Sequence, residues 1–479
     1  MERKNSLKTN FIMNLILQGS AYILPFIMTP YISRILLPEG MGKVSFATSV
    51  LSYFSMLALL GVPTYGIRTC AVIANDRDKL SQSFKEIFII TLFMSFISYI
   101  LLLGGISFIP SLKDNRGLLS VMSITIILNV LNTDWLYKSL EKYTVIAIRS
   151  IIIKIISIVA ILLLVHLQED YIIYGFLSVI AAYGVGIWNF LGAKRYVSWK
   201  TTKKLNFRHH IKPIIVFFSM TVATTIYTNL DIVMLGGMTN DTITGYYDAS
   251  IKIKTLLVAA VSSLGAVLLP RVCSYIASDN MTAFKEICRK ALHFLILLSV
   301  PLIFYFIYFA EPVILLYSGP KFQGAILPMK IIMPSILCIG LTNIIGIQML
   351  VPLGLERQVL YSEIAGAITD LILNAILIPF WGASGAAFGT VVAEIVVLIF
   401  QAYSCRDYVL PMLRQINYIK IIVAAFIALG GTFWLIYCNL SDFGIVAISL
   451  PLFFIIYIFS LFLTKEKEAY ALIATIFQK

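Results

Sequence analysis

The chain has 479 residues, of which 59% are hydrophobic and only 13% are charged. Soluble domains carry about 25% charged residues, so this composition, with a mean hydropathy of +0.91, excludes a soluble globular protein. The net charge is +13. Because membrane proteins concentrate Lys and Arg in their cytoplasmic loops, this charge does not indicate a nucleic-acid partner, and we predict none.

Apolar runs of about 20 residues, separated by short polar connectors, extend from Phe11 to Leu463. Runs such as 151–165 are apolar on every side, which favours helices over the alternating strands of a membrane barrel. The first run is too long for a signal-peptide core, so we expect it to be a membrane helix. We therefore predict an all-α polytopic membrane protein with about fourteen transmembrane helices. The predicted spans are 11–37, 42–67, 84–106, 117–140, 143–165, 171–192, 213–238, 245–270, 290–316, 326–350, 358–380, 383–404, 416–438 and 443–463.

The distribution of positive charge predicts the orientation. With a cytoplasmic N-terminus, roughly 26 of the 37 Lys and Arg residues fall in cytoplasmic segments and about six in outer ones. The connector 193–212 between the sixth and seventh spans is the most basic of these segments. Because the span count is even, the C-terminus is predicted to be cytoplasmic as well.

The basic connector also divides the first twelve spans into two sets of six. Gly42 and Arg68 in the second span have the same separation as Gly245 and Arg271 in the eighth, which is a weak sign of duplication. Such parallel repeats predict two six-helix lobes with a substrate cavity between them. The predicted organisation is an N-terminal lobe 1–192, a cytoplasmic linker 193–212, a C-terminal lobe 213–404, and a segment 405–479 with two additional helices and a cytoplasmic tail.

Three stretches carry a family resemblance. They are N-T-D-W-L-Y-K-S-L-E at 132–141, N-L-D-I-V-M-L-G at 229–236 followed by G-Y-Y-D-A at 245–249, and L-P-R at 269–271. On these motifs and the span count, the chain resembles the Wzx-type flippases of lipid-linked oligosaccharides. These form the polysaccharide transporter branch of the MOP superfamily, which also contains the multidrug (MATE) exporters. Family members often have Gly where this chain has Ser139.

The resemblance implies a MATE-like fold and transport without covalent chemistry. The implied substrate is an undecaprenyl-diphosphate-linked repeat unit, moved across the bacterial cytoplasmic (inner) membrane for capsule, exopolysaccharide or O-antigen synthesis. It also implies a polysaccharide polymerase and chain-length machinery as candidate partners. No cofactor is expected, and the six scattered cysteines predict neither a disulfide framework nor a metal site.

Positively charged residues inside spans are the candidates for substrate binding, because a sugar diphosphate cannot enter hydrocarbon with its charge unpaired. They are Arg34, Arg149, Lys154, Lys252 and Lys254. Lys154 lies about eleven residues into its span, near the midplane by the helical rise. Lys252 and Lys254 are two residues apart and point to different faces. The alternative for each is a pair with an internal acid or a position at the membrane surface.

Three carboxylates inside spans are candidates for ion coupling, namely Asp231, Asp370 and Glu394. Asp370 and Glu394 lie about twelve and eleven residues into their spans, so both are near mid-depth. They would either exchange a proton or sodium ion during transport or pair with an internal cation. Separately, the small residues of G-A-S-G-A-A-F-G at 382–389, at the start of the twelfth span, predict a close helix–helix contact.

Two other functions fit the sequence less well. A MATE-like multidrug or cation antiporter would share the fold but would favour an acidic cavity. An integral membrane enzyme of envelope assembly would need a nucleophile, a metal set or an acid–base pair. The four histidines are too dispersed along the sequence to suggest one, and loops rarely exceed about 20 residues.

Overall fold

The computed structural model describes residues 7–199 and 205–466, so part of the predicted linker and the end of the predicted tail lie outside the described residues. Within these ranges every regular element is a helix, which confirms the predicted all-α class. The chain divides into two compact units, residues 1–244 and 245–479.

The first unit is built from long helices interrupted by short breaks. Its helices are α1 (Leu7–Leu59), α2 (Val62–Val72), α3 (Arg77–Phe108), α4 (Pro110–Asp114), α5 (Arg116–Met122), α6 (Ile124–Leu131), α7 (Asp134–Ser139), α8 (Tyr143–Leu164), α9 (Tyr171–Tyr183), α10 (Val185–Ala193) and α11 (Arg208–Met238), followed by the start of α12 (Asp241–Ala277). A 3-10 turn, Gln168–Asp170, precedes α9.

The second unit begins within α12. Its further helices are α13 (Met281–Tyr308), α14 (Ala310–Ser318), α15 (Ile326–Ile332), α16 (Ser335–Thr342), α17 (Glu356–Trp381), α18 (Ala383–Ser404), α19 (Arg406–Arg414), α20 (Tyr418–Thr432) and α21 (Asp442–Leu463). Two 3-10 segments, Pro320–Ala325 and Phe433–Tyr437, and a π-helix, Asn343–Leu350, complete it.

Helix α1 contains a break at Leu37, whose φ of 59° lies outside the helical region. Pro38 follows, and a proline disfavours helical geometry in the preceding residue. The apolar stretch Ile12–Val72 is 61 residues long, and a continuous helix of that length would extend about 90 Å, three times the hydrocarbon thickness. The break therefore divides the stretch close to the predicted boundary between the first two spans.

The predicted count of fourteen spans is not confirmed. In the described residues, eleven helices are long and apolar enough to cross a membrane, or twelve if one bent pair counts as a span. Ile12–Val72 counts once among them, and the predicted eighth span, in α12, is not among them. The bent pair is Pro320–Ile332 with Ser335–Leu350, at 47°, and its break contains Pro334, which cannot donate a backbone hydrogen bond.

The helices bury one face and expose an apolar one, as expected for a protein surrounded by lipid. On α21, Tyr457 and Leu461 are buried, whereas Ile455, Ile458 and Phe462 are exposed. Each set recurs every three to four residues, so each forms one stripe along the helix. The exposed stripe has no polar side to face water, and this supports a lipid-facing surface.

The compact units divide the chain later than the predicted lobes do. Helix α11 belongs to the first unit, where it packs against α1 and α2. Helix α21 is attached to the second unit by hydrogen bonds from Tyr457 to the Leu297 carbonyl, 2.9 Å, and between Tyr305 and Ser449, also 2.9 Å. The division into the lobes 1–192 and 213–404 stays a prediction.

Candidate functional site

A cavity of about 330 Å³ lies among the first arm of α1, α8 and α9 in the first unit. Its wall is mostly apolar, with Leu24 and Met28 from α1, and it contains the charged side chain of Lys154 from α8. Tyr174 and Tyr183 from α9 add aromatic rings that carry a hydroxyl. Such a wall, apolar with a few polar groups, is typical of ligand-binding cavities.

Lys154 is half-buried, and its ammonium group donates a hydrogen bond of 2.9 Å to the Ser20 hydroxyl. The carboxylate of Asp134 in α7 is near enough for the two charges to interact. A lysine ammonium has three donors, so the bond to Ser20 leaves capacity for an acceptor in the cavity. Of the five predicted cations, Lys154 is the one among the lining residues of this cavity.

Arg149, also on α8, is held by contacts within the first unit. Its guanidinium donates to the Asn189 side-chain oxygen at 2.9 Å and to the Tyr137 hydroxyl at 3.2 Å, and it lies over the rings of Tyr137 and Trp188. The Asn189 amide in turn donates to the Asp134 carboxylate. The guanidinium thus links α8 to α7 and α10, which places it in a structural network.

Arg34 and Asp231 lie elsewhere in the first unit. The Arg34 side chain is exposed and donates to the Pro30 carbonyl one turn earlier, so it does not line the Lys154 cavity. Asp231 of α11 is buried and lies close enough to Tyr53 of α1 for electrostatic interaction. Neither residue is among the lining residues of the Lys154 cavity.

In the second unit, Lys252 forms an ion pair with Asp248, one turn earlier on α12. The Nζ–Oδ2 distance is 2.6 Å, and Asp248 is 6% exposed. This contact matches the alternative in which an intramembrane cation pairs with an internal acid. Sequence reasoning missed Asp248, although its spacing of four residues from Lys252 was a readable signal. Lys254, two residues further, is half-buried.

Polar side chains cluster where α17 meets α18. Asp370 and the fully buried Asn374 lie one turn apart on α17, and Gly389 of α18 packs against both. A Cβ at Gly389 would come within 3.3 Å of the Asp370 Oδ1 atom and closer still to that of Asn374. A Cβ at Gly385 would meet the Leu377 carbonyl at 2.6 Å. The predicted close helix contact is therefore confirmed.

Further oxygen atoms adjoin this α17–α18 seam. Thr390 follows Gly389, and its hydroxyl lies 2.9 Å from that of Tyr247 on α12. Glu394, one turn beyond Thr390, is 5% exposed. Carboxylate, amide and hydroxyl oxygens are the ligands that hard cations prefer, so the seam has the chemistry to hold a sodium ion or a proton. Asn374 was not predicted, and its position four residues after Asp370 was the available signal.

More than half of the chain matches a described protein family. The family "Polysaccharide biosynthesis protein" matches residues 7–276. The chain is 24% identical over 397 residues to a protein of Escherichia coli (strain K12) described as "Putative O-antigen transporter", covering 82% of this chain and 95% of that protein. A protein of Shigella dysenteriae with the same description is 22% identical over 402 residues, covering 82% and 98%.

Solved structures support the fold at low sequence identity. An inward-facing multidrug resistance MATE family transporter of the MOP superfamily has a TM-score of 0.63 at 13% identity, covering 85% of this chain and 99% of that one. The lipid II flippase MurJ in an inward closed conformation has a TM-score of 0.59 at 15% identity, covering 94% and 91%. These similarities confirm the MATE-like fold predicted from the sequence.

Proposed function

The chain belongs to the polysaccharide biosynthesis protein family, and on that basis we propose that it moves a lipid-linked polysaccharide repeat unit across a bacterial cytoplasmic membrane. Two relatives described as O-antigen transporters support this function, and so does the fold shared with a lipid II flippase. The observation that carries the proposal is Lys154, a cation that lines a cavity between apolar helices. Its own helix, α8, exposes apolar side chains such as Ile155 and Ile156.

The proposed substrate is an undecaprenyl-diphosphate-linked oligosaccharide. Its diphosphate is anionic, and moving it unpaired into hydrocarbon would cost several kcal/mol or more. Lys154 would neutralise part of that charge, while the polyprenyl tail stays among the lipid chains. The cavity of about 330 Å³ is at the small end for ligand sites. It therefore suits a diphosphate or one sugar, so we propose that it holds the head of the substrate.

The other predicted cations have different roles in this proposal. Arg34 is exposed and would meet the substrate near the end of its span. Lys252 would bind phosphate only by sharing its ammonium with Asp248, to which it is already paired, and Lys254 would act from a neighbouring face. Arg149 would position α7, α8 and α10 through its contacts with Asn189 and Tyr137.

Transport would proceed by alternating access between two six-helix lobes, with both termini cytoplasmic. The carboxylates of the α17–α18 seam, Asp370 and Glu394, would couple a sodium ion or a proton to this cycle, while Asp231 would be structural. The released repeat unit would pass to a polysaccharide polymerase with its chain-length machinery.

A MATE-like exporter of cations is the second candidate, because the fold is also shared with a multidrug transporter. The charge of Lys154 argues against it, since a cationic wall repels a cationic drug. Drug susceptibility of a strain that lacks the protein separates the two functions. Unchanged susceptibility together with lost surface polymer supports the flippase.

Variants of Lys154 test the proposal in a deletion strain that regains surface polymer when the wild-type chain is supplied. Lys154→Ala should lower surface polymer at least about tenfold, the factor that corresponds to 1.4 kcal/mol. Lys154→Arg should retain part of the export, because it keeps the charge. Lys330→Ala removes another half-buried lysine, outside the cavity, and is the matched control. Wild-type export by Lys154→Ala at equal membrane abundance would overturn the cationic-cavity mechanism.

A further inference from the structure

Two histidines and a glutamate that are far apart in the sequence converge in the first unit. His209 and His210 lie in the first turn of α11, and Glu86 lies on α3. The Glu86 Oε2 atom is 2.9 Å from His210 Nε2 and 3.8 Å from His209 Nε2, and the three ligand atoms all lie within 4.8 Å of one another. Three potential metal ligands thus face a common point.

The surroundings hold two of these side chains in place. Glu86 and His210 are fully buried. The other carboxylate oxygen, Oε1, accepts the backbone N–H of Asn206 at 2.7 Å and the Gln82 amide at 3.0 Å. The His210 Nδ1 atom lies at hydrogen-bond distance from the Tyr65 hydroxyl of α2. Hydrogen bonds to the far side of an imidazole and of a carboxylate are the usual support of protein metal ligands.

We propose that Glu86, His209 and His210 bind a zinc ion. With bonds of about 2.0 Å in tetrahedral geometry, ligand atoms lie about 3.3 Å apart, and the distances of 2.9 and 3.8 Å lie on either side of that value. Two imidazoles and one carboxylate are a known ligand set for zinc, with water in the fourth position. The His209 side chain is 51% exposed, which gives the ion and its water a path from solvent.

Zinc at this point would fix the end of the basic linker. The two histidines lie near the end of the predicted linker 193–212, in the first turn of α11, and the ion would join this turn to α3. Tyr65 extends the support to α2. Without the ion, the same atoms form a hydrogen-bonded network around Glu86. The proposal does not depend on the transported substrate, since it concerns only the folded first unit.

The test uses the full-length protein in detergent micelles, purified without a polyhistidine tag. After incubation with zinc and desalting, the wild type should retain about one zinc ion per chain, measured by elemental analysis. Its thermal midpoint should rise with zinc and fall with a chelator. His209→Ala should weaken zinc binding at least about tenfold, because it removes one of three ligands. His166→Ala, which removes an exposed histidine elsewhere, should bind zinc like the wild type.

Cobalt bound in place of zinc supplies a second readout, because its visible absorption bands report the coordination number. The bands should form in the wild type and be lost in His209→Ala and Glu86→Gln. Because Glu86 is buried, Glu86→Gln could fail to fold, whereas the exposed His209 can change with little effect on packing. Wild-type protein that retains no zinc after desalting, or equal zinc affinity in His209→Ala, would overturn the proposal and leave a structural network only.

Discussion

Lys252 and Asp248 form an ion pair of 2.6 Å across one turn of α12. Lys252→Met would leave the buried Asp248 carboxylate without this partner, and breaking a buried ion pair costs about 3–5 kcal/mol. Because the Lys252 side chain is 31% exposed, we expect a smaller loss of about 1–3 kcal/mol. A lower thermal midpoint in detergent micelles would show it.

The double variant Asp248→Asn with Lys252→Met separates stability from transport. It removes both charges, so most of the lost stability should return. If Lys252 also binds substrate, this stable variant should still export less polymer. An unchanged thermal midpoint in Lys252→Met alone would show that the pair does not stabilise the fold.

Replacing Arg149 by Lys should destabilise the first unit although the charge is kept. A lysine cannot reproduce a guanidinium that bonds to Asn189 and Tyr137 and stacks on two rings. Leaving buried partners unsatisfied costs about 1–3 kcal/mol, which should appear as a lower thermal midpoint. The exposed Arg116→Lys is the control. Equal midpoints for the two variants would contradict a structural role for Arg149.

Gly389→Ala should disturb the α17–α18 seam, because the added methyl group would occupy the space of the Asp370 and Asn374 oxygens. Overpacking of this kind typically costs about 1–3 kcal/mol. Gly430→Ala is matched in chemistry but has no neighbour within 4 Å, so it should be neutral or stabilising. Thermal unfolding of both variants in micelles compares them. A Gly389→Ala protein as stable as Gly430→Ala would show that the seam can relax.

Asp370→Asn should abolish the stabilisation by sodium that we expect if the α17–α18 seam binds this ion. If the seam binds sodium, wild-type protein should unfold at higher temperature in NaCl than in KCl of equal ionic strength, since a ligand at 100 times its Kd stabilises by about 2.7 kcal/mol. Glu363→Gln changes another acid of α17 and should keep the response. Equal midpoints in the two salts for the wild type would exclude a sodium site and leave proton coupling as the mechanism to test.

Several structural features could be predicted from residues that are close together in the sequence. The break at Leu37 lies directly before a proline, and the close contact of α18 follows from its row of small residues. The Lys252–Asp248 pair is also local, because residues four apart share a helix face. The number of spans was harder to predict. A kinked helix such as α1 counts as one span or as two, depending on whether its kink is taken as the end of a span.

The candidate sites depended on the fold. His210 and Glu86 are 124 residues apart, and nothing in their neighbouring residues indicates that they meet. Arg149 and Asn189 are 40 residues apart on different helices. The sequence therefore indicated that Arg149 is an intramembrane cation. It did not indicate whether its side chain faces a cavity or hydrogen-bonds to another helix of the same chain.

The sequence by itself determined that this chain is a helical membrane protein, because the length and apolarity of its runs match the bilayer and the backbone must satisfy its hydrogen bonds internally. Its motifs also indicated the family. Only the tertiary structure decided that Lys154 lines a cavity, that Arg149 binds Asn189, and that Glu86 meets two histidines. The physical reason is that lipid fixes the period and length of each helix, whereas the partners of a polar side chain depend on how distant helices pack.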